Sequence, residues 1–363
     1  MSFNASCRDA ERRERLRYHA VVRRVTRLLA SLTCAGACAA GLAAYQQTPA
    51  PVRPAPFELA LGRSTRLLVV APHPDDEALG AAGLIQRVRA QGGAVRVVLL
   101  TSGDGFPEGV EVAGGVAHPR ESDFRGYGVL REGETRAALG LLGVKPNEIE
   151  FLGFPDEGLC RIASTYLFDR RRAFESPYTG RESPPPSEQI VRGARYRGID
   201  VRRELERTLR EFEPTLLALP HPEDEHPDHC STHIFVREAM ATLPSALERG
   251  VRVVHYLVHY GQWPLGAEGG PGRTLEPPMA FPPAEGRWLS LSLTPAEADL
   301  KERALRTYTS QMRVIGRFML SFARDNELFL DGEPVSTPEC WCDGANVATK
   351  ADPSAYRKRP SRP

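Results

Sequence analysis

The chain has almost no net charge. Its 363 residues carry 47 Lys and Arg against 46 Asp and Glu, a formal net charge of +1. Dedicated nucleic-acid binding normally needs a strongly basic face, so that class is excluded. Cysteine is sparse, with only Cys160, Cys230, Cys340 and Cys342 beyond Cys38. Cys340-Trp341-Cys342 has no partner motif at zinc-finger spacing, which leaves a local disulfide or free thiols, and the four cysteines allow three pairings. No Gly-x-Ser-x-Gly elbow is present, so a serine hydrolase has no nucleophile. Gly80 and Gly83 lack the lysine of a phosphate loop and suit close helix–sheet packing. There is no internal repeat. With 41% hydrophobic and 26% charged residues, a globular fold with a sizeable core is expected, neither disordered nor collagen-like.

The near-neutral sum hides an asymmetry. Residues 1–27 hold eight Arg against three acids, and the remainder is mildly acidic. Leu28–Tyr45 follows without a charge, 18 residues of which seven are Ala. At ~1.5 Å per residue it just reaches across a bilayer core. A basic region, an apolar region and small residues after it describe a secretory signal. Ala35-Gly36-Ala37-Cys38 also resembles a lipoprotein signal, with Cys38 as the lipidated residue. An uncleaved membrane anchor is the second reading and a cytoplasmic amphipathic tail the third. Residues 1–45 are therefore expected to export or anchor the chain, and the working location is expected to be extracytoplasmic or membrane-associated. Residues 46–64 read as a Pro-rich linker, residues 65–345 as the folded domain and residues 346–363 as a polar tail.

Within the domain, strands and helices alternate. Arg66–Ala71, Ala94–Leu100, Glu148–Leu152, Thr215–Leu219 and Val251–Tyr260 read as strands. Glu77–Gln91, Arg131–Leu142, Val201–Phe212, Asp228–Leu243 and Thr294–Asp325 read as helices. Thr294-Pro295 is an N-cap followed by proline at the first helical position. The pattern predicts an α/β fold: a doubly wound, Rossmann-like, mainly parallel sheet with helices on both faces. Its ligand site is expected beyond the carboxyl ends of the strands. Ile162–Gly198 and Leu265–Gly286 are too long for simple connectors and suit a lid or substrate-binding role.

Two histidine–carboxylate clusters fall at that edge. Pro72-His73-Pro74-Asp75-Asp76-Glu77 follows the first strand. His221-Pro222-Glu223-Asp224-Glu225-His226-Pro227-Asp228-His229 follows the fourth. One such cluster alone reads as a polar loop with helix-capping acids. Two at the same edge, each opening with histidine at a strand tip, point to a metal. A catalytic zinc takes three N/O ligands and keeps one position open, and His73, Asp76 and His229 supply such a set. Two imidazoles favour zinc or another transition ion over calcium. Asp75 is the spare carboxylate beside them, fit to take a proton from water acidified by the metal.

The strand–PHPDDE–helix segment together with HPEDEHPDH resembles the PIG-L/LmbE family of zinc-dependent N-acetylglucosaminyl deacetylases. The resemblance runs from about Leu67 to Phe329. Weaker echoes are Thr101-Ser102-Gly103-Asp104, Arg131-x-x-Glu134, Phe151-Leu152-Gly153-Phe154-Pro155-Asp156 and Tyr308-x-Ser310-Gln311. The resemblance implies zinc on His73, Asp76 and His229, one ion per chain, and Asp75 as general base. It implies that His226 polarises the amide carbonyl or holds the oxyanion, and that Asp228 orients a histidine. Arg131 and Asp104 become candidates to hold sugar hydroxyls or an anionic aglycone. His255 and His259, on one face of the fifth strand, read as structural, with His259 the one placed to line the site. The implied reaction is hydrolysis of the acetamide of an N-acetylated amino sugar. Two alternatives remain: an amidase on another metabolite such as a thiol conjugate, and a carbohydrate-binding protein that retains metal without turnover.

Overall fold

The computed structural model describes residues 52–332 and residue 340, apart from 168, 246–249, 266–272, 280 and 283–285. The basic segment, the candidate signal or anchor and the polar tail lie outside the described residues. Among those described, no helix is long and apolar enough to cross a membrane.

One eight-stranded sheet organises the domain, in the order β1-β7-β8-β6-β5-β2-β3-β4. The strands are β1 (Ala55–Pro56), β2 (Arg66–Ala71), β3 (Ala94–Thr101), β4 (Ile149–Phe154), β5 (Leu216–Pro220), β6 (Arg252–Tyr256), β7 (Arg287–Ser292) and β8 (Asn326–Asp331). The helices are α1 (Asp76–Ala90), α2 (Pro107–Gly114), α3 (Glu121–Leu141), α4 (Leu159–Thr165), α5 (Gly198–Phe212), α6 (Pro227–Met240), α7 (Pro295–Thr307) and α8 (Thr309–Leu320). Strands β4, β3, β2, β5 and β6 are parallel, as the sequence pattern predicts. Both β3 and β5 pair with β2, so the winding reverses between β2 and β5 and leaves a crevice there.

Alternation along β2 builds both cores. Leu67, Val69 and Ala71 face one layer with α1, while Leu68 and Val70 face the other with α5 and α6. Helix α1 lies close to the sheet because Gly80 has no side chain: a Cβ there would sit 2.5 Å from the Tyr256 ring. That bears out close packing as the role of this glycine.

The sheet is mainly parallel as expected, with β8 running antiparallel to β6 and β7. Strands β7 and β8 are joined through two helices, α7 and α8, instead of one crossover helix, and they pair antiparallel. Other expectations are corrected. The expected helix Thr294–Asp325 is two helices broken at Tyr308, followed by β8. Part of the expected linker folds onto the domain: Ala55–Pro56 pairs with β7, and Phe57 lies 5.3 Å from Phe329 between ring centroids. Proline is tolerated there because the strand is an edge strand. Cys340 forms no local bridge with its neighbour but a disulfide with Cys230 on α6, and Cys160 on α4 is also disulfide-bonded.

Candidate metal centre

The histidines and carboxylates of the candidate centre lie just beyond the carboxyl ends of parallel strands. His73, Asp75 and Asp76 follow β2, Asp104 follows β3 and Asp156 follows β4. Asp224, His226, Asp228 and His229 follow β5, and His259 follows β6. Local chemistry fixes the turns. Pro227 opens α6, and His226 caps it by accepting the Asp228 N–H on Nδ1 at 3.2 Å. Asp76 starts α1, which places its carboxylate across the loop, where it accepts the His73 backbone N–H at 3.0 Å.

Asp76 Oδ2 is the meeting point. It lies 3.1 Å from His73 Nδ1 and 3.1 Å from His229 Nε2, and the two imidazole centroids are 5.3 Å apart. Tetrahedral zinc at about 2.0–2.1 Å from each ligand places ligand atoms about 3.3 Å apart. The two distances to Asp76 match that spacing. The same residues also belong to overlapping groups able to hold a metal, one of His73, His226 and His229, a second of Asp76, His229 and His259, and a third of His73, Asp156 and Asp228.

The residues fit a cation. Asp75, Asp76, Asp156, Asp224 and Asp228 are all buried, and Arg131 is the buried guanidinium beside them. Both ring nitrogens of His229 are buried near carboxylates without a hydrogen bond of good geometry. Burial opposes the imidazolium form of His229, but Asp224 and Asp76 outweigh it and push its pKa up to about 9. Burial likewise opposes charge on His73, and Asp156, Asp228 and Asp76 still hold its pKa well above the ordinary value. The carboxylates around these two imidazoles create a negative field that suits a cation.

Two residues that sequence reasoning passed over complete it. Asp156 Oδ1 lies 3.1 Å from His73 Nε2, and its Oδ2 accepts the Gly105 N–H at 2.7 Å. Asp224 Oδ2 lies 3.2 Å from His229 Nδ1 and accepts the Val258 and His259 N–H groups at 2.9 and 3.0 Å. Each candidate ligand histidine thus has a carboxylate behind it, which sets ring orientation. Asp156 closes the Phe151–Asp156 echo, so its position after a strand was a usable signal. Asp224 is one of four acids in its cluster, and spacing does not separate them.

The expected site residues are brought together unequally. Asp75 is buried beside Asp76, and Arg131 Nη2 donates to its Oδ2 at 3.1 Å. Burial raises the Asp75 pKa to about 7, with Arg131 opposing and Asp76 reinforcing the rise. His226 packs against His73 and His229 at 4.6 and 5.0 Å between centroids. Burial, with His73 and His229, lowers its pKa to about 4, so the ring is neutral. Asp228 Oδ2 lies 3.5 Å from His73 Nε2, while its Oδ1 accepts the Cys160 N–H. His259 reaches the centre, 4.9 Å from His229, and stacks on Phe318.

Arg131 is turned inward. Its guanidinium donates to Gly103 O at 2.8 Å and Pro74 O at 2.6 Å as well as to Asp75, which commits it to the loop and away from a sugar. Asp104 is buried with an unpartnered Oδ1 and remains the candidate for substrate contact. His221 and His255 stand apart from the centre, 5.5 Å from each other, with His233 against His255. His255 and His259 do not share a strand face, because β6 ends at Tyr256.

The PIG-L family profile, described as GlcNAc-PI de-N-acetylase, matches residues 68–240. Residues 68–240 are thus similar to that family. The chain is 31% identical over 201 residues to a 1D-myo-inositol 2-acetamido-2-deoxy-alpha-D-glucopyranoside deacetylase of Saccharopolyspora erythraea, covering 54% of this chain and 59% of that one. It is 28% identical over 293 residues to the protein of the same name from Streptomyces griseus, covering 76% and 82%. The chain spans about 60% of the length of the first curated relatives it matches. The N,N'-diacetylchitobiose deacetylase of Pyrococcus horikoshii is a structural neighbour at TM-score 0.45 and 19% identity, covering 75% of this chain and 86% of that one. The matched segment of this chain includes both histidine–carboxylate clusters.

Proposed function

We propose that this domain hydrolyses the acetamide of N-acetylated amino sugars, GlcNAc-type glycoconjugates or glycolipids, releasing acetate and a free amine. The observation that carries the reading is Asp75, a buried carboxylate held by Arg131 beside the Asp76–histidine cluster. His73, Asp76 and His229 would hold a zinc ion, which would supply Lewis acidity and lower the pKa of water at the site. With Oδ2 held by Arg131, Asp75 Oδ1 is the oxygen placed to accept a proton from the attacking water and to return it to the departing nitrogen. A base whose pKa lies near 7 suits that exchange at neutral pH. His226 is neutral and accepts the Asp228 N–H on Nδ1, which leaves its proton on Nε2. Nε2 then donates to the acetyl oxygen as negative charge develops there. Asp156 and Asp228 orient His73, and Asp224 orients His229.

The reading extends to location. Cys230, Cys340 and Cys160 are disulfide-bonded, which suits an oxidising compartment. With the basic and uncharged N-terminal segment it supports an exported or membrane-associated protein.

Purified protein is expected to hold about one zinc per chain and to release acetate from at least one member of a panel of N-acetylated sugars, glycolipids and oligosaccharides. Asp75→Asn is expected to keep the metal and lose at least ~100-fold in turnover. Zinc-loaded protein that releases nothing across the panel would instead be a carbohydrate-binding protein. Acetate from thiol-conjugate amides alone would redirect the substrate class.

A further inference from the structure

The motif glutamate Glu77 and the helix-break tyrosine Tyr308 have no part in the chemistry above, yet both are fully buried within reach of Asp75. Asp75 has φ 113° and ψ −30°, a left-handed backbone that a residue with a Cβ rarely adopts. Such a conformation persists only where the surroundings over-determine it. Three contacts do so. The Asp75 N–H donates to Glu77 Oε2 at 3.1 Å. The Asp75 carbonyl accepts the first turn of α1, from Ala78 N–H at 2.9 Å and Leu79 N–H at 2.8 Å. Arg131 clamps the carboxylate and the preceding Pro74 carbonyl. The Glu77 contact reaches a further part of the chain, because the Tyr308 hydroxyl donates to Glu77 Oε1.

Tyr308 is itself fixed. It sits at the break between α7 and α8, with φ −75° and ψ 64°. Just after it, Glu134 on α3 accepts the Ser310 N–H at 2.8 Å, the Ser310 hydroxyl at 2.6 Å and the Thr309 hydroxyl at 2.6 Å. Gln311 donates to the Tyr127 hydroxyl at 2.6 Å. Tyr308-x-Ser310-Gln311 is thus anchored to α3, the helix that also carries Arg131.

We infer that Glu77 and Tyr308 are positioning residues for Asp75: Tyr308 orients the Glu77 carboxylate, and Glu77 holds the Asp75 backbone in the left-handed turn that aims its side chain at the reacting water. The inference rests on the deacetylation reading for its kinetic consequence but not for its structural one. Without the Glu77 oxygen the Asp75 N–H loses its buried acceptor, the backbone relaxes to negative φ and the carboxylate swings away. A displacement of about 1 Å at a catalytic group lowers turnover on the order of 100-fold.

The test compares zinc-loaded wild type, Glu77→Ala, Glu77→Gln and Tyr308→Phe in crystal structures and in kinetics. Glu77→Ala is expected to move Asp75 out of its left-handed conformation. It should lower kcat about 100-fold with KM and bound zinc unchanged. Glu77→Gln retains an oxygen for the Asp75 N–H and an amide to face Tyr308, and is expected to rescue both backbone and kcat to within a few fold. Tyr308→Phe, a milder change that preserves packing, should lower kcat by about tenfold. Asp75 unmoved in Glu77→Ala, or Glu77→Gln as impaired as Glu77→Ala, overturns the inference. If Glu77→Ala does not fold, Tyr308→Phe with full kcat and an unmoved Glu77 carboxylate overturns it alone. If wild type cleaves no acetylated sugar, the deacetylation reading fails while the crystallographic comparison still decides the positioning role.

Discussion

Asp224 Oδ2 lies 3.2 Å from His229 Nδ1, at the ring nitrogen opposite the one that faces Asp76. The same oxygen accepts two backbone N–H groups from the segment after β6. The carboxylate therefore cannot rotate freely, and neither can the imidazole it faces.

Asp224→Asn is expected to weaken zinc binding about 10–100-fold, the usual effect of losing a carboxylate behind a ligand histidine. Competition with a chromogenic chelator measures it. At saturating zinc, turnover should return towards the wild-type value, which separates Asp224 from Asp75.

Arg131 faces Asp75, Pro74 and Gly103. Arg131→Met should therefore lower kcat by more than tenfold and leave KM within about threefold, because an interaction with the base is lost and none with the ground-state substrate. A raised KM at constant kcat would restore a sugar-binding role.

Lys301 and Glu327 form a buried pair at 2.7 Å against α1. Lys301 donates to Leu79 O, and Glu327 accepts the Gly83 and Leu84 N–H groups. Lys301→Met leaves that carboxylate buried without its cation and is expected to cost about 3–5 kcal/mol in denaturant unfolding. Zinc stoichiometry of the folded fraction should not change.

His233 and His255 are buried imidazoles. Burial, then neighbouring histidines, lowers the His233 pKa to about 3 and that of His255 well below its ordinary value. The unfolded chain binds these protons near pH 6.5, whereas the folded chain does not. Their contribution is full above about pH 7 and is lost as pH falls from about 6.5 towards 3, by up to about 1.4 kcal/mol per pH unit for each ring. Unfolding of zinc-saturated protein between pH 7.5 and 4.5 should show the decline, and His255→Phe should flatten it. An equal slope in the variant would count against His255.

Sequence by itself determined the parallel sheet and the candidate ligand set. The apolar runs of β2, β3 and β5 and the helices between them leave one economical winding, and its ligand edge follows from strand direction. His73, Asp75, Asp76 and His229 were legible because two histidine–carboxylate motifs follow strands that winding makes neighbours. Tertiary structure decided what spacing cannot encode. Cluster acids such as Asp224 and Asp228 are chemically alike, and only packing shows which faces His229 and which faces His73. Arg131 and Tyr308 lie 56 and 233 residues after Asp75 in the chain. Their turn towards the Asp75 loop depends on where α3 and the α7–α8 break dock, which no local pattern specifies. The antiparallel β7–β8 pair likewise depends on how the two helices between them, α7 and α8, return the chain to the sheet, which no local pattern specifies.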